Sequence, residues 1–576
     1  MESYDKFRKN YIFLICSAIL GAAAFLCIYG LEPLRVTAIG WTEVGFEGHD
    51  ITQHQVGWMF YRNSPWTFPL CKAMYLGYPE GTSITYTDSI PIAALFFKLL
   101  SPLLPENFQY FGPYTFICFM MQGLFAAALL YRFTADRLFS TLTSLLFVIS
   151  SPFVERCFRH TALSSYWLLL AALLLYFSDT KISGKKFIFL WTLLLSLSIG
   201  IHPYLFGMVF GVFTFSCIRL VLAGNSWKKV LSAFAFCTLF VLLFGSILGI
   251  FGSSLYPAEG FGRYNLNLNA LWNPKSKFHR VWSLFLPARP LYDVQGEGIY
   301  YLGLGLLIAA LFLVLFLPVK YAPLIKSTLK KHRLILILML FYTLYAISIN
   351  ITFNDHVLFH IPFPESLFRI ASVFRASERF FLLPYYFIML GITCFLYKIF
   401  AEKKIIALLL CSAILVIQTV DILPGLKDFH HYFSEREPVH EYTPEWQELA
   451  ETYNTAFTFE QVDDKVLAFW LARKDFRTNL NISAPIQSNA YWLQTQEERE
   501  QMKADLASGV YELDPNTMIF IPEIVRYRYW SFTSPEELTD YLNLVQTAYD
   551  GKAELRYFSM DLNDAVQNYW ILCPNQ

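Results

Sequence analysis

Long apolar runs alternate with short polar connectors along the first 423 residues, and then the pattern changes. The runs occupy 11–30, 88–104, 108–131, 138–153, 161–178, 187–201, 203–223, 229–251, 299–317, 334–351, 380–400 and 404–422. A hydrocarbon core of roughly 30 Å takes about 20 apolar residues per helix, so these runs predict transmembrane helices. From residue 424 onward charged, apolar and turn residues intermix, as in a water-soluble domain. There 445–453, 496–508 and 535–547 have helical spacing, and 465–471, 517–521 and 554–558 read as strands. Ser534 ahead of Pro535, Glu536 and Glu537 is a helix start, with a hydroxyl cap, a first-turn proline and early acids. The pattern predicts a multi-span α-helical membrane domain over 1–423 and a C-terminal α/β soluble domain over 424–576.

Charge sets the expected orientation. Lys6, Arg8 and Lys9 precede the first run. Further basic clusters are Lys181, Lys185 and Lys186; Lys228 and Lys229; Lys320, Lys326, Lys330, Lys331, His332 and Arg333; and Lys398, Lys403 and Lys404. The positive-inside bias places these loops and the N-terminus in the cytoplasm. The long loops 31–87, 252–298 and 352–379 then fall outside, with the tail. An inside N-terminus and an outside tail require an odd number of crossings, expected between 11 and 13 from the runs. The run at 88–104 contains Pro91, Lys98 and Pro102 and is the one expected to dip rather than cross. The first run is about 20 residues long and lacks a small-residue cleavage site, which predicts a retained helix rather than a signal peptide.

Composition narrows the function classes. Only 16% of the 576 residues are charged and 55% are hydrophobic, against about 25% charged in soluble domains. Forty-five basic residues balance 45 acidic ones, so no basic field points to nucleic acid. The 55 Phe and 35 Tyr fit lipid-facing and interfacial positions. Ten Cys show no metal-ligand spacing. Only Cys71, Cys157 and Cys573 lie outside apolar runs, which predicts no disulfide framework.

Candidate chemistry concentrates in the loop at 31–87, which is too long to be a mere connector. It reads Glu47-Gly48-His49-Asp50, then Gln53-His54 and Gly57-Trp58, and runs on to Thr87-Asp88-Ser89. If 50–60 is helical, Asp50 and His54 share one face, one turn apart. Asp50 is then either a general base toward a hydroxyl or a helix cap, and the two roles are compatible. Other outward polar groups are Arg156, Arg159 and His160; His202 before Pro203; Glu259, Arg263, Tyr264 and Glu297; and Arg369, Arg375, Glu378 and Arg379. Arginine forks suit phosphate; the alternative is ion pairing, such as Glu378 with Arg375, or snorkelling to headgroups. No phosphate-binding glycine loop, zinc motif or nucleophile elbow is present. Acids are nearly absent from run centres, which weakens an ion-coupled transporter.

These phrases, with Arg159-His160-Thr161-Ala162-Leu163, Gly200-Ile201-His202-Pro203-Tyr204 and Phe374-Arg375-Ala376-Ser377-Glu378-Arg379-Phe380, resemble the GT-C superfamily of polytopic glycosyltransferases. Within it, residues 10–425 are most similar to a bacterial membrane family of GT-C-like organisation. The resemblance implies sugar transfer, with inversion, from a polyprenyl-phosphate-linked donor to a hydroxyl of a cell-surface glycan or lipid-linked acceptor, in the bacterial cytoplasmic membrane. It implies Asp50 as the general base. His54, Asp88, Arg159, His160, His202, Glu297, Arg375 and Arg379 would be donor- or substrate-binding groups. The sequence departs from the acid pair that many GT-C members carry in this loop: Glu47 and Asp50 are three apart, which argues against a two-carboxylate metal site. No cofactor is required by any motif, and a divalent Mg or Mn ion stays open. The alternative class is a lipid-linked glycan flippase or polysaccharide export component without catalysis; a third is a non-enzymatic assembly scaffold.

Overall fold

The computed structural model describes residues 2–44, 50–178, 184–251, 260–277, 280–293, 295, 299–434, 439–459, 465–480, 482, 489–523, 532, 534–562 and 565–575. The chain is mostly helical and falls into two compact units. One comprises Met1–Val36, Gln109–Gly245 and Pro257–Arg436; the other comprises Thr37–Phe108, Ser246–Tyr256 and Glu437–Gln576.

Among the described residues seven helices are long and apolar enough to cross a membrane: Tyr11–Tyr29, Phe111–Thr134, Thr161–Ser178, Pro203–Leu222, Trp227–Leu248, Ser377–Ile399 and Lys404–Asp421. The protein is a multi-pass membrane protein. Four further apolar runs form helices of 12 to 17 residues: Arg137–Val148, Lys185–Ile201, Leu304–Lys320 and Arg333–Ile347. The first helix packs along Phe111–Thr134. That approach depends on two glycines. A Cβ on Gly21 would overlap the Phe119 carbonyl, and one on Gly123 would overlap that of Ser17. Without a hydrophobic drive between helices in lipid, small residues that let backbones close up carry the packing.

Two expected runs come out differently. The run at 334–351 ends as a helix at Ile347, and its last residues open a hairpin, Asn350–Phe353 against His356–His360. The run at 88–104 holds only the nine-residue helix Pro91–Leu99 and a 3-10 turn, Ser101–Leu103. At 1.5 Å per residue such a helix covers less than half of a hydrocarbon core, so it does not cross.

The second unit is built on a five-stranded mixed sheet. Thr455–Thr458 lies parallel to Arg477–Thr478 on one side and to Thr517–Pro522 on the other. Ala565–Pro574 then runs antiparallel to Thr517–Pro522, and Ala553–Leu562 antiparallel to it at the edge. Alternation along 518–521 splits the two faces. Ile519 and Ile521 pack with Leu506, Leu538 and Val545; Phe520 stacks on Trp446, which meets Trp470 edge-on. The segment 465–471, expected as a strand, is the helix Lys465–Arg473. Leu467 to Ala472 are all buried, and an apolar run buried on every side shows neither period. The first loop adds to the sheet edge: Thr478 donates its N–H to Tyr75 O and accepts from Tyr78 N.

Candidate functional site

In the second unit the helix Asp50–Asn63 is buried from Ile51 to Tyr61, although half of its residues are polar. Burial of polar groups is costly unless they are hydrogen-bonded, and here they satisfy loop carbonyls. Gln53 Nε2 donates to Tyr86 O at 3.1 Å, Gln55 Nε2 and Trp58 Nε1 to Phe108 O at 3.1 and 3.2 Å, and Tyr61 O–H to Leu70 O at 2.8 Å. Lys98 closes the far end, donating to Tyr61 O and Ser64 O at 2.7 and 2.8 Å. These are carbonyls a helix C-terminus leaves open. Burial pushes the Lys98 ammonium down to about 8.

The same helix carries the turn 86–89. A Cβ on Gly57 would overlap Thr87 Oγ1 and Ser89 Oγ, so only glycine lets the turn sit this close. Ser89 Oγ donates to His54 O at 2.8 Å, and the Thr87 and Ser89 hydroxyls are 2.8 Å apart. Asp88 (φ 53°) and Ile90 (φ 54°) are both left-handed, a conformation that aspartate tolerates and a β-branched residue resists. The turn brings Asp88 to His54, with ligand atoms within 4.8 Å of one another. One turn earlier, Asp50 is the first helical residue; its side chain is 31% exposed and Lys465 Nζ lies 3.8 Å from Oδ1. The carboxylate stands at the positive end of the helix. The structure thus gathers Asp50, His54 and Asp88, and adds Lys465, which the sequence hid inside an expected strand. His54 and Asp88 could each contribute one ligand atom to a divalent ion, and an imidazole with a carboxylate suits Mn better than Mg, which prefers oxygen alone.

The arginines expected to face outward lie in the first unit and form a different kind of cluster. Glu155 accepts from Arg159 Nη1, from Arg280 Nη1 at 3.5 Å and from Trp282 Nε1 at 2.8 Å. Burial pushes its carboxyl up, while Arg280, Trp282 and Arg156 pull it down. Glu378 pairs with Arg156 at 3.5 Å, not with Arg375 as spacing suggested. Arg379 Nη2 lies 3.3 Å from His160 Nε2, and its guanidinium sits 4.8 Å above the Tyr204 ring. His202 caps the helix Pro203–Leu222, its Nδ1 accepting from Tyr204 N at 3.2 Å. Arg375 lies 5.6 Å from the Tyr264 ring and has no ion-pair partner among the described residues. Glu297, Glu259 and Glu47 lie outside the described residues. Arg280 and Trp282 had no signal in the sequence, because no motif surrounds them.

No curated protein matches the sequence. Among solved structures, the apo crystal structure of the Archaeoglobus fulgidus oligosaccharyltransferase is similar with a TM-score of 0.39 and 13% identity, over 96% of this chain and 74% of that one. A likeness this loose carries no function across. The family model described as "Domain of unknown function (DUF6311)" matches residues 18–423, well over half of the chain, and the protein therefore belongs to the DUF6311 family.

Proposed function

We propose that the protein is a GT-C-type membrane glycosyltransferase. It transfers a sugar from a polyprenyl-phosphate donor to a hydroxyl of a glycan or lipid-linked acceptor, with inversion. The observation that carries this reading is Asp50: a partly exposed carboxylate at the start of a helix buried from Ile51 to Tyr61, in the loop that the GT-C-like phrases mark. A rigid support for a reacting group is what general-base chemistry needs, since geometry precedes pKa.

In the proposed step the acceptor oxygen attacks the anomeric carbon and gives its proton to Asp50. The bond from that carbon to the phosphate oxygen breaks, and both its electrons leave with polyprenyl phosphate. His54 and Asp88 hold the sugar or orient Asp50. The same reading has residues 1–423 cross the membrane eleven times, with the N-terminus in the cytoplasm and 424–576 outside.

The test is Asp50→Asn in membranes supplied with a labelled polyprenyl-phosphate sugar. Transfer is expected to fall about 10²–10⁴-fold, the usual worth of a positioned base. Near-full transfer would sink the assignment of Asp50.

A further inference from the structure

An apolar cavity of about 380 Å³ opens in the first unit, at the end of the helix Leu382–Ile399 that carries Lys398. Phe133, Phe177, Leu313, Leu336 and Phe387 wall it. Val314 and Leu329 also line it and are 69% and 50% exposed, so it is open rather than sealed. Its volume lies near the lower end of single-ligand sites, roughly 300–1,000 Å³, which suits one hydrocarbon chain.

Three observations say what fills it. The first is Gly391, which lines the cavity from within a candidate span; a Cβ there would meet nothing within 4 Å. Glycine weakens a helix interior relative to alanine, and here no neighbour requires it. The second is the short helix Ala322–Lys331. Ile325 and Leu329 face the cavity, while Lys326 and Lys330, also four apart, are exposed. An apolar face flanked by lysines is the pattern of a helix lying at the boundary between headgroups and acyl chains. The third is charge. Burial together with Lys331, Lys398 and Arg219 pushes His332, at the cavity rim, down to about 4. Lys398 lines the cavity, Lys331 directly precedes the lining His332 in the chain, and no acid lines the cavity among the described residues.

We propose that this cavity binds one acyl chain of an anionic phospholipid, with the headgroup phosphate on Lys398 and Lys331. The site shares no residue with the Asp50 cluster and does not depend on the transfer reaction. Its occupant comes from the leaflet on the side of the basic loops, where anionic lipids attract basic residues.

Native mass spectrometry of the purified full-length protein tests it, with equimolar dioleoyl phosphatidylglycerol and dioleoyl phosphatidylcholine as probes. Wild type is expected to retain one phosphatidylglycerol in preference. Gly391→Leu fills the open space and is expected to lose it; Lys398→Gln, an exposed change that spares the fold, is expected to cut the preference about fivefold. Equal retention of both lipids, unchanged retention in a folded Gly391→Leu, an unaltered preference in Lys398→Gln, or stoichiometric displacement by polyprenyl phosphate would each overturn the proposal.

Discussion

The two units handle buried polarity in opposite ways. In the first, Glu155, Arg156, Arg159, Arg280 and Glu378 are all buried, and each sits against an opposite charge. In the second, the helix Asp50–Asn63, buried from Ile51 to Tyr61, spends its neutral amides, indole and phenol on loop carbonyls, and its acid stays partly exposed near the Lys465 ammonium. Charges committed to one another hold a framework. A carboxylate left at the rim of a rigid helix can meet a substrate. The arginines that looked like phosphate ligands by residue type divide along this line, since Arg156 and Arg159 are engaged by carboxylates and Arg375, among the described residues, is not.

That contrast can be broken at four places. Glu155→Gln removes the shared partner of Arg159 and Arg280; breaking a buried pair costs about 3–5 kcal/mol, read as a large drop in unfolding temperature of the detergent-solubilised protein. Wild-type stability would mean that the cluster is not structural. Gly57→Ala drives a methyl into Thr87 and Ser89. Overpacking of this kind costs about 1–3 kcal/mol, and transfer activity is expected to fall with it as Asp88 moves. Lys98→Met strips the donor from two buried carbonyls, at about 1–3 kcal/mol, measurable by the same melt; a smaller shift than Gly57→Ala is expected because methionine keeps the contact with the Tyr61 ring. Asp50→Asn is expected to change stability by under about 1 kcal/mol, as for other partly exposed ion pairs, while abolishing most transfer. A large melt shift there would move Asp50 into the framework class and end the contrast.

The seven helices long and apolar enough to cross a membrane were legible in the sequence because span formation depends on length and hydropathy within one window. The helix start at Ser534 was legible for the same reason: its hydroxyl accepts from Glu537 N, three residues on. The one-turn spacing of Asp50 and His54 also held, since helical period is local. The Lys465–Arg473 helix was not legible, because complete burial erased the alternation that separates helix from strand. Nor was the loop's attachment to the tail, which rests on backbone bonds between Tyr75, Tyr78 and Thr478 that no side-chain pattern encodes. The sequence by itself therefore determined which segments are apolar enough to enter a membrane and which polar residues are candidates for chemistry. Only the tertiary structure decided which candidates are consumed by partners far along the chain. Hydropathy and propensity act within a turn or two, whereas ion pairs such as Glu155 with Arg280 and Asp50 with Lys465 exist only once the chain's path brings the two ends together.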